Sequence, residues 1–258
     1  MQQKLSALIV LSLVLVASLP SFGQGDEFDG IRSKEFVLND NPQLKYVMIG
    51  AKAAKRPKNG FRVLVVMPGG DGSGQFTPFV KRIFKHALNK NYLIVQLIAP
   101  KWSADQVIVW PTRRASTKGM DVPMEEFAEL ALSDVRKRIK VDEQRIFSLA
   151  WSSGGPAAYA MGLNKKSSIT GTFAAMSVFK LDSTPLIKNA KGRAFYILHS
   201  KDDRVCPYRM AENAKNSLKE NGGFVRMKTY EGGHGWQGDV YGNIRDGVTW
   251  LEKQAAKS

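Results

Sequence analysis

The chain has 258 residues, with 38 Lys+Arg against 23 Asp+Glu and a formal net charge of +15; it is 43% hydrophobic and holds 23 Gly, 11 Pro and one Cys. The apolar share excludes an intrinsically disordered chain, the glycine content excludes a collagen-like repeat, and the single Cys206 excludes a disulfide-stapled scaffold. The length suits one large hydrophobic core.

Residues 1–25 read MQQKLSALIVLSLVLVASLPSFGQG. Lys4 gives a positive start, residues 5–19 form an apolar run broken only by Ser and Ala, and Pro20 ends it before Ser21, Phe22 and Gly23. An apolar run of about 15 residues falls short of the roughly 20 that a membrane span needs. The segment 1–23 is therefore read as a secretory signal peptide cut after Gly23, in preference to an uncleaved anchor. No Cys follows it to carry a lipid. An exported chain without disulfides fits a bacterial periplasm or exterior, and no other stretch suggests a transmembrane span.

Beyond it, a charge-rich loop at 52–59 separates two strand-like runs. Residues 62–67 (RVLVVM) predict a buried strand; 79–88 predict a helix, with Phe79, Val80, Ile83, Phe84, Ala87 and Leu88 at helical spacing. There follow a strand at 92–99, a helix at 123–140 with Asp121 as its cap, a strand at 145–150 and a helix at 154–163. Strands at 171–176 and 194–199, a helix at 208–221, a strand at 225–230 and a helix at 240–257 complete the pattern. Continuous apolar strands alternating with helices imply a mostly parallel sheet covered on both faces, a three-layer α/β domain occupying 24–258. Such a sheet places its chemistry in the loops at the carboxyl ends of its strands.

Three of those loops carry Ser, Asp and His in that order. The strand 145–150 runs through Trp151-Ser152-Ser153-Gly154-Gly155 straight into a helix. A serine on so tight a turn is pushed outward and needs small residues two places away on each side. Ser152 has Ala150 and Gly154 there, whereas Ser153 would have Trp151, so Ser152 is the better nucleophile. A helix cap without chemical meaning is the plain alternative. After the strand 194–199 comes Ser200-Lys201-Asp202-Asp203, where either aspartate reaches an imidazole but adjacent residues do not both point inward. After the strand 225–230 comes Glu231-Gly232-Gly233-His234-Gly235-Trp236, a flexible loop that presents a ring. Of the three histidines, His86 belongs to a helix and His199 to a strand end, leaving His234 as the base.

The loop 68–74 (PGGDGSG) offers backbone N–H groups to a developing oxyanion. Phosphate binding fits it poorly. Gln75-Phe76 stands where a P-loop needs Lys-Ser/Thr, and the third glycine of a dinucleotide fingerprint is replaced by Gln75 or Thr77.

From about residue 62 onward the chain resembles the α/β-hydrolases, and in particular is similar to the small secreted esterases around dienelactone hydrolase, polyhydroxybutyrate depolymerase and feruloyl esterases. The likeness is carried by the elbow AWSSGG at 150–155, the acid loop HSKDDRVCP at 199–207 and the histidine loop YEGGHGW at 230–236. It implies an α/β-hydrolase fold and selects Asp203 over Asp202; the 235 residues after Gly23 leave little room for a lid domain, so a minimal lid or none is expected. The likeness also gives Gly70 one oxyanion N–H, although Pro68-Gly69 replaces the family's His-Gly, and Ala150 departs from Gly-x-Ser-x-Gly. The implied reaction is two-step acyl transfer: Ser152 attacks an ester, His234 takes its proton, Asp203 orients the ring, and the N–H groups of Gly70 and Ser153 hold the oxyanion.

That chemistry requires no cofactor and no metal, and three dispersed histidines with one cysteine suggest no zinc-like cluster. Trp151 flanks the nucleophile, Trp236 flanks the base, and Trp110, like Trp102, lies in the loop after the strand 92–99; these are the candidate substrate-binding side chains, for a small-molecule ester or one carried on a polysaccharide. The basic residues (Lys52, Lys55, Arg56 and Lys58; Arg113 and Arg114; Arg136, Lys137, Arg138 and Lys140; Lys165 and Lys166) read as scattered over loops and helix faces. They suggest attraction to an anionic polysaccharide or surface. No nucleic-acid-binding module is present. Two rivals remain: a non-catalytic glycan-binding protein on the same fold, and a serine peptidase.

Overall fold

The computed structural model describes residues 30–51 and 55–257, so the segment 1–23 and Lys52 lie outside the described residues. The chain enters through a hairpin of β1 (Ile31–Leu38) and β2 (Asn41–Ala51). Its turn uses Asn39 and Asp40 at φ 49° and 53°, the left-handed conformation that short polar side chains tolerate best. The remaining strands are β3 (Phe61–Met67), β4 (Tyr92–Ile98), β5 (Val141–Trp151), β6 (Gly171–Ala175), β7 (Ala194–Ser200) and β8 (Phe224–Tyr230). The helices are α1 (Thr77–Ala87), α2 (Met124–Arg138), α3 (Gly155–Gly162), α4 (Tyr208–Glu220) and α5 (Val240–Ala255).

All eight strands form one sheet in the order β1-β2-β4-β3-β5-β6-β7-β8. The six strands from β4 to β8 run parallel, and the hairpin adds antiparallel through β2 on β4. β3 explains the layering. Val63, Val65 and Met67 point to one side, where Phe127, Ala131 and Leu132 of α2 and Ala157 and Met161 of α3 meet them. Leu64 and Val66 point to the other, against Ile83 and Phe84 of α1 and Ile244, Val248 and Leu251 of α5. A strand apolar at every position is what burial on both faces requires. The result is the expected three-layer α/β-hydrolase architecture, with no lid domain among the described residues.

Two local expectations change. Asp121 does not cap α2; Pro123 holds that position without a side-chain bond, its carbonyl accepting the N–H of Glu126 and Phe127. β5 starts at Val141, earlier than its apolar run, because Val141 already pairs with Phe61 of β3 before a register shift over the polar stretch Asp142–Arg145, whose side chains are tied by ion pairs from Arg145 to Asp142 and from Arg136 to Glu143. No helix of the described residues is long and apolar enough to cross a membrane.

Candidate active site

Three strand ends converge at the carboxyl edge of the sheet. β5 ends at Trp151, and Ser152–Gly154 form one tight turn leading into α3. Ser152 sits at φ 50°, a conformation that costs a non-glycine residue about 1–3 kcal/mol and persists only where the surroundings enforce it. The surroundings do enforce it. A Cβ on residue 154 would lie 2.5 Å from the Met67 carbonyl oxygen, and one on residue 69 would lie 2.6 Å from Trp151 Cδ1 and 3.0 Å from Ser152 Cβ. Only glycine lets β3 and the elbow approach this closely. Ala150 is fully buried, so its methyl group fits where the motif more often has glycine.

Ser152 Oγ lies 3.1 Å from His234 Nε2. On the far side of the ring, His234 Nδ1 lies 2.9 Å from Asp203 Oδ2 and 3.1 Å from Oδ1. With Nδ1–H donated to the carboxylate, the Nε2 lone pair faces the serine. Asp203 is 5% exposed while Asp202 is exposed. Only one of the adjacent carboxylates points inward, and it is Asp203. Burial works to raise its carboxyl, but the N–H groups of Cys206 and Val205, at 2.7 and 2.9 Å, and the His234 ring outweigh this and hold it below the ordinary carboxylate range.

The histidine loop is held through one residue. Ser200 Oγ accepts the Gly233 N–H at 3.1 Å, and Tyr230 Oη donates to the Gly233 carbonyl at 3.1 Å. Burial, then the charge of Asp203 and the nearby Cys206, pushes the Tyr230 phenol up to about 12, so it remains a donor. Ser200 lies within the acid motif and Tyr230 opens the histidine motif, and nothing in their spacing alone marks them as supports. Ser177 is a third such residue: its Oγ donates to the Ser152 carbonyl at 2.8 Å.

Beside the acid, His199 is fully buried and its Nε2 donates to the Cys206 carbonyl at 2.7 Å. Desolvation lowers its pKa despite the pull of that carbonyl and of Asp203, so the ring stays neutral. The fold also gathers what looked dispersed: donor atoms of Asp203, Cys206 and His234 lie within 4.8 Å of one another. They fit a cation poorly. Burial and Asp203 push the Cys206 thiol up to about 11, and the carboxylate is already engaged by three N–H donors.

The glycine loop lies against the elbow. Gly70 is at φ 59°, and Ser153 Oγ donates to its carbonyl at 2.8 Å. Ser153 is the middle residue of the turn before α3, where N–H groups have no acceptor within the helix. Of the tryptophans, Trp110 is 3% exposed and donates Nε1–H to the Pro68 carbonyl at 2.9 Å. It is a prop under the glycine loop and presents no free face to a substrate. Trp151 is 5% exposed, stacked edge-on against Phe76, Phe79 and Trp236. Trp236 is half-buried on the rim of this aromatic group.

The profile of the phospholipase/carboxylesterase family matches residues 77–248. Among solved structures, a Bacillus cereus carboxylesterase shares 16% identity at a TM-score of 0.59, over 81% of this chain and 93% of that one. A truncated carbohydrate esterase from gut microbiota shares 12% at 0.66, over 87% and 96%. A fungal esterase from Rhizomucor miehei shares 12% at 0.64, over 88% and 84%. No curated protein matches. The profile covers most of the chain, and the convergence of elbow, acid loop and histidine loop agrees with it: the chain belongs to the phospholipase/carboxylesterase family of the α/β-hydrolase superfamily.

Proposed function

We propose that the protein is a serine-dependent carboxylic ester hydrolase working through an acyl-enzyme on Ser152. The reading rests on one observation, the unbroken relay from Ser152 Oγ to His234 Nε2 and from His234 Nδ1 to Asp203. Ser152 Oγ attacks the ester carbonyl as its proton passes to His234 Nε2, and Asp203 stabilises the imidazolium that forms. The oxyanion is held by the N–H groups of Gly70 and Ser153, each worth roughly 10²–10³ in rate. The imidazolium then protonates the departing alkoxide. Water, deprotonated by the same ring, attacks the acyl-enzyme and releases the acid and the serine.

The absence of a lid domain among the described residues favours an open cleft and a short or surface-borne acyl group. One structural neighbour is a carbohydrate esterase, which puts acetylated and feruloylated glycans first among the esters to assay. We further propose export to a bacterial periplasm or exterior with removal of residues 1–23. The test of the mechanism is labelling of the purified protein with a fluorophosphonate and mapping of the adduct. Modification at Ser152 that disappears in His234→Ala supports the reading. An adduct at Ser153 overturns Ser152 as the nucleophile, and none on folded protein overturns the catalytic reading and favours a binding role.

A further inference from the structure

The fold sorts the charge that the sequence scatters. The connections that enter the parallel strands at their amino ends are residues 55–60, 88–91, 139–140, 163–170, 187–193 and 221–223. They hold ten Lys and Arg and no Asp or Glu. The connections at the carboxyl ends, 68–76, 99–123, 152–154, 176–186, 201–207 and 231–239, hold seven Lys and Arg against eight Asp and Glu. The net positive charge is therefore concentrated at the end of the sheet opposite Ser152. Of its ten cations only Arg193 is half-buried, donating to the Gly162 and Ile169 carbonyls; the others are exposed. Nearby carboxylates are mostly engaged: Asp142 by Arg145, Glu143 by Arg136 and Glu252 by Arg62, with exposed Glu220 at the end of α4.

A second observation falls at the same end. A cavity of about 250 Å³ opens there, lined by Lys58, Asn59, Arg62, Asn91, Asp142 and Arg145. Along β5 its Arg145 lies seven residues from Ser152, roughly 23 Å at strand rise, and the register shift between Val141 and Ile146 keeps Asp142 at a similar height. It is thus separate from the reacting groups. Arg62 and Arg145 are held by Glu252 and Asp142, which leaves Lys58 as the cation that suits a carboxylate, and the two asparagine amides both donate and accept, as sugar hydroxyls require.

We infer that this face binds an anionic polysaccharide, with one uronate-type residue seated in the cavity and its neighbours running along the basic edge. Five adjacent strands carry that edge, a width of about 20 Å at normal strand spacing. Attraction to a charged surface grows with such one-signed fields. A lipid surface fits less well, because interfacial binding needs apolar side chains to insert and the exposed large apolar residues at or next to this end among the described residues are only Phe224 and Leu186. Single-stranded nucleic acid would need stacking aromatics, and no aromatic residue lines the cavity. Bound this way, the protein turns its carboxyl-end loops away from the polymer strand that holds it and toward neighbouring chains.

The test compares the full chain with Lys58→Glu/Lys90→Glu beside the cavity and with Lys101→Glu/Lys118→Glu on the carboxyl-end loop 99–123, all exposed positions. Each is titrated with polygalacturonate, neutral dextran, phosphatidylglycerol vesicles and duplex DNA, with thermal unfolding to verify folding. The expected result is binding to polygalacturonate but not dextran, weakened roughly tenfold or more by the first pair and little by the second. Equal weakening by both pairs would reduce the effect to diffuse net charge and overturn the site. Tighter binding to vesicles or DNA than to polygalacturonate, or no binding to polygalacturonate at all, would overturn the assignment of the partner.

Discussion

Gly155 and Ser177 meet so closely that a Cβ on residue 155 would lie 1.7 Å from Ser177 Oγ and 2.2 Å from its Cβ. The same hydroxyl donates to the Ser152 carbonyl. The first residue of α3 is glycine because the side chain that holds the nucleophile's peptide needs the space.

Gly155→Ala accordingly forces Ser177 aside. It is expected to destabilise the protein by about 1–3 kcal/mol, as overpacking does, and to lower kcat by displacing the elbow. Adding Ser177→Gly removes the crowding atoms and restores part of the stability. Denaturant midpoints of the two singles and the double measure the coupling; strictly additive losses would contradict the contact.

Ser152 is held in a left-handed conformation, so its two hydroxyl-less variants differ. Both Ser152→Ala and Ser152→Gly abolish ester hydrolysis, but the glycine variant also relieves the strain. It is expected to be more stable than the alanine variant by about 1 kcal/mol. Equal unfolding midpoints would show that the elbow stores no strain.

The adjacent aspartates separate cleanly. Asp203→Asn leaves a shape-matched neighbour for His234 but removes the charge and disturbs the tautomer, lowering kcat by about 10³–10⁴. Asp202→Asn alters only an exposed group and is expected to change kcat less than twofold, within the range of neutral surface substitutions. Comparable losses in both variants would place the acid wrongly.

Stability depends on pH in two windows. His199 titrates below its ordinary 6.5 in the folded chain because burial disfavours its charged form. As pH falls through 6.5 the unfolded chain takes up that proton first, so stability present above 6.5 declines. Asp203 titrates below its ordinary 3.8 in the folded chain. The stability it contributes is present above 3.8 and is lost as pH falls through the lower folded value. His199→Gln, which keeps an N–H donor for Cys206, should flatten the first decline, and Asp203→Asn the second. Unfolding free energies from pH 8 to pH 2 provide the comparison.

Much of the site was legible because its constraints are local. Trp151 makes Ser153 a poor apex, and Ser152 is the residue whose Oγ faces His234. Asp202 and Asp203 were equivalent by spacing; the family likeness separated them, and burial agrees with it. Trp110 misled because an aromatic ring in a loop gives no sign of direction, and its hydrogen bond to Pro68 spans 42 residues. The supports at Ser177, Ser200 and Tyr230 were hidden for the same reason, as were the clustering of Asp203, Cys206 and His234 and the basic face. Strand order brings these together, and strand order is not written in any one segment.

The nucleophile and the base hang from strands of unequal security. β5 lies in the middle of the sheet with its last six residues buried, whereas β8 is an outer strand with no fully buried residue. Partial opening of a structure begins where burial is least. Fraying of β8 would carry the imidazole away while the remaining seven strands stay paired, so the protein is built to fall silent before it falls apart.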